Sequence, residues 1–233
     1  MSLFAISDLH LSFGCDKPMD VFGPKWTSYT DRLRDNWQKI VTDDDTVVIN
    51  GDFSWGMTLE EALEDFKFLD SLNGKKLISK GNHDYWWSTS SKIMQFFEKN
   101  DIKSVSLLHN NAYLCGDVTV AGARGWMLEV GCEHDKKIIN REAMRLRLSL
   151  NEAKKLDSEK ETIVFLHYPP KHNNVTCEPI VDVLKTYGVK QVYFGHLHGI
   201  SPSFVTDEVD GIRTKLVSSD FLSFVPLLVS KYT

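Results

Sequence analysis

The sequence predicts an α/β fold in which helices lie outside two packed, mixed β-sheets. Two observations predict it: short β-branched runs alternate with stretches of helical periodicity, and these runs are continuously apolar, as in strands buried on both faces. Of the 233 residues, 42% are hydrophobic and 25% are charged, which is ordinary for a globular domain. We therefore expect a single domain over residues 1–233.

Five of the predicted strands end in a polar cluster. They are Leu3–Ser7, Thr46–Asn50, Leu77–Ser79, Thr162–Leu166 and Gln191–Phe194. The segment Ser104–Ala121 alternates imperfectly and is expected to add two more strands. Near the C-terminus, Ile212–Val217 and Phe224–Val229 are expected to close a second sheet.

Helices are predicted between these strands. A helix is predicted over about Tyr29–Val41, with one face formed by Leu33, Trp37, Ile40 and Val41. The run Thr58-Leu59-Glu60-Glu61 has the pattern of a capping box, which predicts a helix from there to about Ser71. Two further stretches have helical character, Ser88–Asn100 and Arg141–Leu156.

Two long segments, Leu11–Ser28 and Gly122–Asn140, lack a regular pattern. Loops of this length inside a compact domain are usually functional or disordered. Each begins just after a predicted strand, so either could form a substrate-facing lid. A surface loop packed on its own side chains is the alternative for both.

Charge and cysteine usage restrict the class of protein. The net charge of −5 gives no bulk attraction to nucleic acid or anionic lipid. The four cysteines are scattered and form no CxxC pair, so we interpret them as reduced thiols of a cytoplasmic protein. No signal peptide and no run of about 18 apolar residues is visible, and we expect no membrane association. The oligomeric state is not readable.

The polar clusters consist of Asp, His and Asn, without the Ser or Cys nucleophile of a covalent hydrolase. Carboxyl ends of parallel strands meet at one sheet edge, so the five clusters are expected to converge there. Two pairs, Asp8 with His10 and His196 with His198, are spaced so that both side chains of a pair point the same way. Any one of these residues could be structural, but five clusters together indicate a metal site.

These residues form ordered motifs: Asp8-Leu9-His10, Gly51-Asp52, Gly81-Asn82-His83-Asp84, His167 and Gly195-His196-Leu197-His198. In order and spacing the chain resembles the calcineurin-like metallophosphoesterase superfamily from Leu3 to His198. The Trp-rich flanks are most similar to an uncharacterised bacterial-type subgroup. The resemblance implies the metallo-dependent phosphatase fold, a four-layer α/β/β/α sandwich of two mixed β-sheets flanked by helices.

The resemblance also implies a dinuclear centre. One metal would be held by Asp8, His10, Asp52 and His198, and the other by Asp52, Asn82, His167 and His196. Asp52 would then bridge the two ions. Imidazole with hard oxygen ligands suits two divalent ions drawn from Mn, Fe, Zn or Ni.

The activity implied by the resemblance is hydrolysis of a phosphomonoester or phosphodiester of a small or nucleotide-like substrate. A metal-bridging hydroxide would attack phosphorus, His83 would protonate the leaving oxygen, and Asp84 would orient the His83 ring. A nuclease acting on DNA or RNA is the alternative enzyme, against which the acidic balance argues. A non-catalytic protein-binding scaffold is less favoured, because every ligand position is filled.

Residues outside the ligand set are open to two interpretations. Trp86 and Trp87 could form an aromatic wall for a flat leaving group or pack in the core, and Trp55 has the same ambiguity. Arg124 could bind the substrate phosphate or make a surface salt bridge. Three histidines, His109, His134 and His172, lie outside the motifs and are interpreted as exposed or satisfied side chains.

Overall fold

The computed structural model describes residues 1–127 and 133–231 of the chain. Its first sheet has five strands in the order β13-β1-β2-β3-β4. They are β1 (Ser2–Ile6), β2 (Thr46–Ile49), β3 (Lys75–Ile78), β4 (Val105–Leu107) and β13 (Leu227–Lys231). The first four run parallel, and β13 pairs antiparallel with β1.

The second sheet has six strands in the order β11-β12-β10-β7-β6-β5. They are β5 (Ala112–Cys115), β6 (Val118–Ala123), β7 (Glu161–Leu166), β10 (Gln191–Phe194), β11 (Glu208–Val209) and β12 (Ile212–Leu216). The four inner strands are parallel, and both edge strands are antiparallel to their neighbours. A short hairpin, β8 (Lys171–His172) and β9 (Val175–Thr176), follows β7.

Helices cover the outer face of each sheet and complete four layers. Three of them, α1 (Tyr29–Ile40), α2 (Leu63–Asp70) and α3 (Ser90–Lys99), pack on the first sheet. The other two, α4 (Glu133–Leu156) and α5 (Glu178–Thr186), pack on the second. Alternation along β1 shows the layering, since Phe4 faces the helices and Leu3 faces the other sheet. The predicted α/β architecture of two mixed sheets flanked by helices is confirmed.

The register of the strands aligns the ends that carry the polar clusters. Ile6 of β1 pairs with Ile49 of β2, and Leu166 of β7 pairs with Phe194 of β10. Residues that follow these strands therefore emerge side by side. A parallel bridge between Ser7 and Ser218 joins the two sheets at the same edge.

Several predicted elements differ from the observed ones. The segment Ser104–Ala121 contains three strands rather than two, and the C-terminal strand joins the first sheet rather than the second. Pairing with β13 satisfies the backbone groups at the open edge of β1, whereas the hairpin strand β11 takes the outer position beside β12.

Two predicted boundaries were also wrong. The capping contacts of Thr58 and Glu61 form, but they open a turn, and α2 begins only at Leu63. The loop predicted over Gly122–Asn140 is much shorter, because β6 runs to Ala123 and α4 begins at Glu133. Residues 128–132 of that segment lie outside the described residues, as does the side chain of His134.

No helix in the described part of the chain is long and apolar enough to cross a membrane.

Candidate metal centre

The backbone beyond the strand ends turns sharply to bring the motif residues together. Four of these residues other than glycine have a positive φ: Asp8 (58°), His10 (47°), Asp52 (50°) and His196 (71°). Such angles are uncommon outside glycine and tend to cluster at functional sites. The loops after β1 and β2 are tied together, because Asp8 N donates to Gly51 O at 2.9 Å and His10 N donates to Asp52 O at 3.0 Å.

Glycine is required where two of these loops touch. A Cβ on Gly81 would collide with the Asp52 carboxylate, and one on Gly195 would collide with Ser7 and Asp8. At both positions the backbone therefore approaches a neighbouring loop more closely than a side chain would allow.

One group of potential metal ligands consists of Asp8, His10 and His198, whose donor atoms all lie within 4.8 Å of one another. His198 Nε2 is 3.3 Å from Asp8 Oδ1 and 3.2 Å from His10 Nε2. Asp8 and His10 are buried, whereas His198 is partly open to the cleft described below.

A second group consists of Asp52, His167 and His196, again with donor atoms within 4.8 Å. Asn82 joins it, because its Oδ1 lies 2.7 Å from His167 Nε2 and 2.9 Å from His196 Nδ1. Asp52 Oδ2 lies 3.5 Å from His167 Nε2 and 3.8 Å from His10 Nε2, which places this carboxylate between the two groups.

The donor set fits divalent cations. Burial lowers the pKa of His10 and His167 to about 3 and that of His196 to about 4, so these imidazoles are neutral and keep a lone pair. Burial, with the charges of Asp8 and Asp84, raises the pKa of Asp52 well above its ordinary value. The ion-pair partners of Asp52 within the described residues are histidines alone. A metal ion would supply the positive charge that this buried carboxylate lacks.

His198 differs from the other histidines because a carboxylate lies beside each ring nitrogen. Burial lowers its pKa, but Asp220 and Asp8 outweigh that effect and raise it to about 10. His198 Nδ1 lies 2.9 Å from Asp220 Oδ1. Nε2 faces Asp8 and His10 and is the nitrogen that a metal ion in this group would bind.

Outer contacts hold the ligand side chains in place. His167 Nδ1 lies 3.1 Å from Asn50 O, and Asp220 also accepts from Gly199 N at 2.9 Å. Asp8 Oδ2 accepts from the hydroxyls of Ser7 and Ser218, the latter at 3.1 Å. Such second partners fix the orientation of metal-binding side chains. Asp220 was missed by sequence reasoning, since it belongs to none of the motifs.

Asp84 does not have the role expected of it. Its carboxylate accepts from Gly81 N at 2.7 Å, from Asp52 N and Phe53 N at 2.9 Å each, and from Trp86 Nε1 at 3.1 Å. His83 Nδ1 has no hydrogen-bond partner, so Asp84 does not orient this ring. It holds together the backbone of the two loops that carry Asp52 and Asn82.

His83 lies beside the first group of ligands. Its ring centroid is 4.6 Å from that of Trp55 and 5.7 Å from that of His10. The residue is half-buried, and burial lowers its pKa below the ordinary value. His83 therefore faces the open side of the centre as a neutral imidazole.

An open cleft of about 760 Å³ begins at this face of the centre. His10, His83 and His198 form its inner end. The segment Leu11–Ser28 supplies most of the other residues that line the cleft, including Met19, Phe22 and Trp26. This segment therefore faces the candidate centre, as one of its two interpretations expected, and it contains short 3₁₀ turns at Met19–Phe22 and Pro24–Trp26.

The tryptophans after His83 lie away from the cleft. Trp86 is only 2% exposed and packs edge-on against Phe66 at 5.0 Å, so the core interpretation is the correct one. Trp87 is half-buried against Trp86 and His109 and does not line the cleft. The aromatic side chains that do line it are Trp55, for which this was one of two interpretations, and Trp26, which the sequence did not single out.

Arg124 is held by an ion pair. Its Nη2 lies 3.6 Å from Oε1 of the fully buried Glu142, and its guanidinium lies 4.9 Å from the ring centroid of Trp126. The carbonyl of Arg124 accepts from His167 N at 3.0 Å. The ion-pair interpretation of its side chain is therefore favoured, although the pair is buried rather than on the surface. His109 and His172 belong to neither group of donors.

Comparisons with known proteins agree with this geometry. A family model described as calcineurin-like phosphoesterase matches residues 1–199. Similar solved structures include a protein of unknown function from Aquifex aeolicus (14% identity, TM-score 0.58, covering 97% of this chain and 95% of that one). A phosphopantetheinyl hydrolase from Mycobacterium tuberculosis is similar at 15% identity and a TM-score of 0.58, covering 98% and 95%. A Thermus thermophilus protein is similar at 12% identity and a TM-score of 0.51, covering 91% and 86%.

No curated protein sequence matches the chain. At these low identities the solved structures show the fold alone. The family model carries the assignment, because it spans most of the chain and contains all five motifs that supply the two groups of donors. The chain belongs to the calcineurin-like phosphoesterase family.

Proposed function

We propose that this protein is a dinuclear metal-dependent phosphoesterase that hydrolyses a phosphomonoester or phosphodiester of a small or nucleotide-like substrate. The observation that carries the proposal is the position of Asp52. Its carboxylate lies between the group that contains His10 and the group that contains His167, and buried Asp8 belongs to the first of them, so one side chain can contact two ions.

In this proposal one ion is held by Asp8, His10, Asp52 and His198, and the other by Asp52, Asn82, His167 and His196. Mn, Fe, Zn and Ni are the candidate metals, because each accepts imidazole together with carboxylate or amide oxygen. When bound, two such ions would lower the pKa of a water and neutralise charge on the phosphoryl oxygens.

His83 is proposed as the acid that protonates the leaving oxygen. Its ring faces the cleft next to His10, and no contact to a donor group holds it in a ligand position. In the free protein burial keeps its pKa low. A phosphate group nearby would favour the protonated imidazole, which the transfer to an oxygen requires. Asp84 supports this role indirectly by holding the loop.

The proposed surroundings follow from the same features. The substrate is a phosphorylated small molecule, since the centre opens into a bounded cleft and the chain has no net positive charge. The cytoplasm is the proposed location, because Cys15, Cys115 and Cys177 are free thiols.

The direct test is metal-dependent turnover. We expect purified protein with added Mn to hydrolyse p-nitrophenyl phosphate, its bis ester or both, to lose this activity on chelation, and to regain it when metal returns. Asp52→Asn should bind less metal and lose the activity, whereas Asp210→Asn, a surface substitution, should keep both. Absence of turnover with all four metals, in protein shown to bind them, would reject the proposal. Single- and double-stranded nucleic acids in the same assay would test a nuclease.

A further inference from the structure

We infer that the alcohol portion of the substrate carries a bulky aliphatic group that binds in the cleft beside the candidate metal centre. This inference rests on the proposed function and adds the chemical class of the substrate to it. The cleft volume of about 760 Å³ lies in the range of about 300–1,000 Å³ that is usual for small-molecule sites.

The position of the cleft determines which part of a phosphoester would enter it. His10, His83 and His198 belong both to the centre and to the inner end of the cleft. A phosphoryl group at the centre, with its leaving oxygen next to His83, therefore directs the alcohol into the cleft. The rest of the wall comes mainly from the segment Leu11–Ser28 and from Trp55.

The wall of the cleft is apolar. It is formed by Met19, Phe22, Pro24, Trp26 and Trp55. Apart from the centre and Asp220, which is hydrogen-bonded to His198, Lys25 is the one charged residue among those that line it. A sugar or a nucleic-acid backbone would place most of its hydroxyl or phosphate groups against apolar side chains, with Lys25 as the one charged partner, at a cost in free energy.

The exposed side chain at the rim of the cleft also favours an apolar group over a polar one. Phe22 is 66% exposed at the edge of the cleft, although large apolar side chains are normally covered. An aliphatic group in the cleft would remove part of this ring from water.

The tryptophans favour aliphatic over flat aromatic groups. One face of Trp55 stacks on His10 at 4.8 Å, and Lys17 Nζ lies 4.7 Å from its ring centroid. Trp26 packs edge-on with Tyr29 and Phe224 at 5.2 Å each. With these rings already engaged, the cleft offers ring edges rather than a stacking platform.

The test compares binding of ethylphosphonate and hexylphosphonate to the Mn-loaded protein by titration calorimetry. Each buried methylene contributes about 0.8 kcal/mol, so Kd is expected to fall by up to about 4-fold per added methylene until the cleft is full. Binding of the longer compound should also have the more negative heat-capacity change. Equal Kd values for the two compounds would overturn the inference.

A second pair separates aliphatic from aromatic groups of similar size. Cyclohexylmethylphosphonate is expected to bind at least as tightly as benzylphosphonate. Clearly tighter binding of the benzyl compound would overturn the aliphatic assignment. Because phosphonates are not hydrolysed, their binding is measured independently of turnover. A chain-length preference without hydrolysis of any ester would reject the proposed function and leave the apolar cleft in place. Hydrolysis of an ester without the chain-length preference would reject only this inference.

The variant that ties the preference to this cleft is Phe22→Ser. Phe22 is exposed, so folding should tolerate the change, and the ratio of the ethyl to the hexyl Kd is expected to fall at least about 3-fold. Phe204→Ser is the matched control, since Phe204 is 72% exposed and does not line the cleft. An unchanged ratio in Phe22→Ser, or an equal fall in both variants, would overturn the assignment.

Discussion

At the scale of single residues, the centre depends on side chains that belong to neither group of donors. Asp220 is the clearest of them, because it contacts both His198 Nδ1 and Gly199 N, each at 2.9 Å. The contact sets which nitrogen of His198 faces Asp8 and His10. Asp220 is thus a positioning residue for the first group of ligands.

We expect Asp220→Asn to weaken binding of one metal ion about 10- to 100-fold, because the histidine loses the carboxylate that orients it and raises its basicity. Titration with Mn, followed by metal analysis, measures this loss. Asp220→Glu should restore part of the affinity, which a merely structural defect would not allow. Unchanged affinity at both sites would show that His198 needs no such partner.

His83 is expected to behave differently from a ligand. His83→Ala should keep both metals, since no donor group includes His83, and should lower turnover about 100- to 10,000-fold if the residue donates a proton. The loss should be larger for substrates with poor leaving groups. His109→Ala is the control, as a half-buried histidine outside the centre. Full activity of the His83 variant would remove the proposed acid.

Motif residues could be predicted from the sequence, whereas their supporting partners could not. Asp8, Asp52 and His167 stand at strand ends, where topology alone brings them together. Asp220 and Trp26 come from irregular segments whose path depends on tertiary packing. The same limit explains Trp86, since nothing in the local sequence distinguishes an indole packed on Phe66 from one that lines a cleft.

At the scale of elements, α2 fixes the loops that begin with the ligands. Asp65 on this helix accepts from Phe13 N at 2.8 Å and from the Ser54 hydroxyl. Phe13 follows His10 and Ser54 follows Asp52, so one buried carboxylate ties both loops to α2. Burial raises its pKa from 3.8 to about 6, since the hydrogen bonds to Ser54 and Phe13 only partly offset it.

This shift predicts how Asp65→Asn alters stability with pH. Well below pH 3.8 the carboxyl is protonated in both the folded and the unfolded protein. Between pH 4 and 6 the unfolded chain ionises first, so the wild type loses stability as pH rises, by up to about 3 kcal/mol. Asparagine cannot ionise. The free energy of unfolding of the variant, relative to that of the wild type, should therefore increase by about that amount between pH 4 and 8.

Urea denaturation at each pH measures the difference. Asp70→Asn provides a control of opposite sign: burial raises the pKa of Asp70, but hydrogen bonds from Ser104 and Lys103 outweigh it and hold the pKa below its ordinary value. The Asp70→Asn variant should become less stable relative to the wild type as pH rises through the acidic range. A pH-independent effect of Asp65→Asn would show that the buried carboxyl carries no ionisation cost.

Element type was easier to predict than element ends. The helix over Tyr29–Val41 is observed within one residue, because its apolar face packs on the sheet. The start of α4 was missed, since Glu133–Asn140 is too polar to show a helical face. The Asp210-Gly211 pair is a sequence signal for a two-residue hairpin turn, and no hairpin was predicted from it. Both residues have positive φ and form the turn between β11 and β12.

At the scale of the whole molecule, each group of donors takes residues from both sheets. Asp8 and His10 follow β1 of the first sheet, whereas His198 follows β10 of the second. Asp52 follows β2, and His167 and His196 follow β7 and β10. Metal ions bound to these groups would therefore link the two sheets at one edge and would be lost on unfolding.

Metal binding is consequently expected to stabilise the whole fold. At 100 times Kd one bound ion contributes about 2.7 kcal/mol, which for a chain of this size raises Tm by about 5–10 °C. Scanning calorimetry of chelated protein, with and without added Mn, measures the shift. Asp52→Asn should lose most of it, because in the proposed centre both ions contact that carboxylate, whereas His109→Gln should keep it in full. An equal response of the two variants to Mn would mean that the ions bind elsewhere and that these buried carboxylates and histidines serve the fold alone.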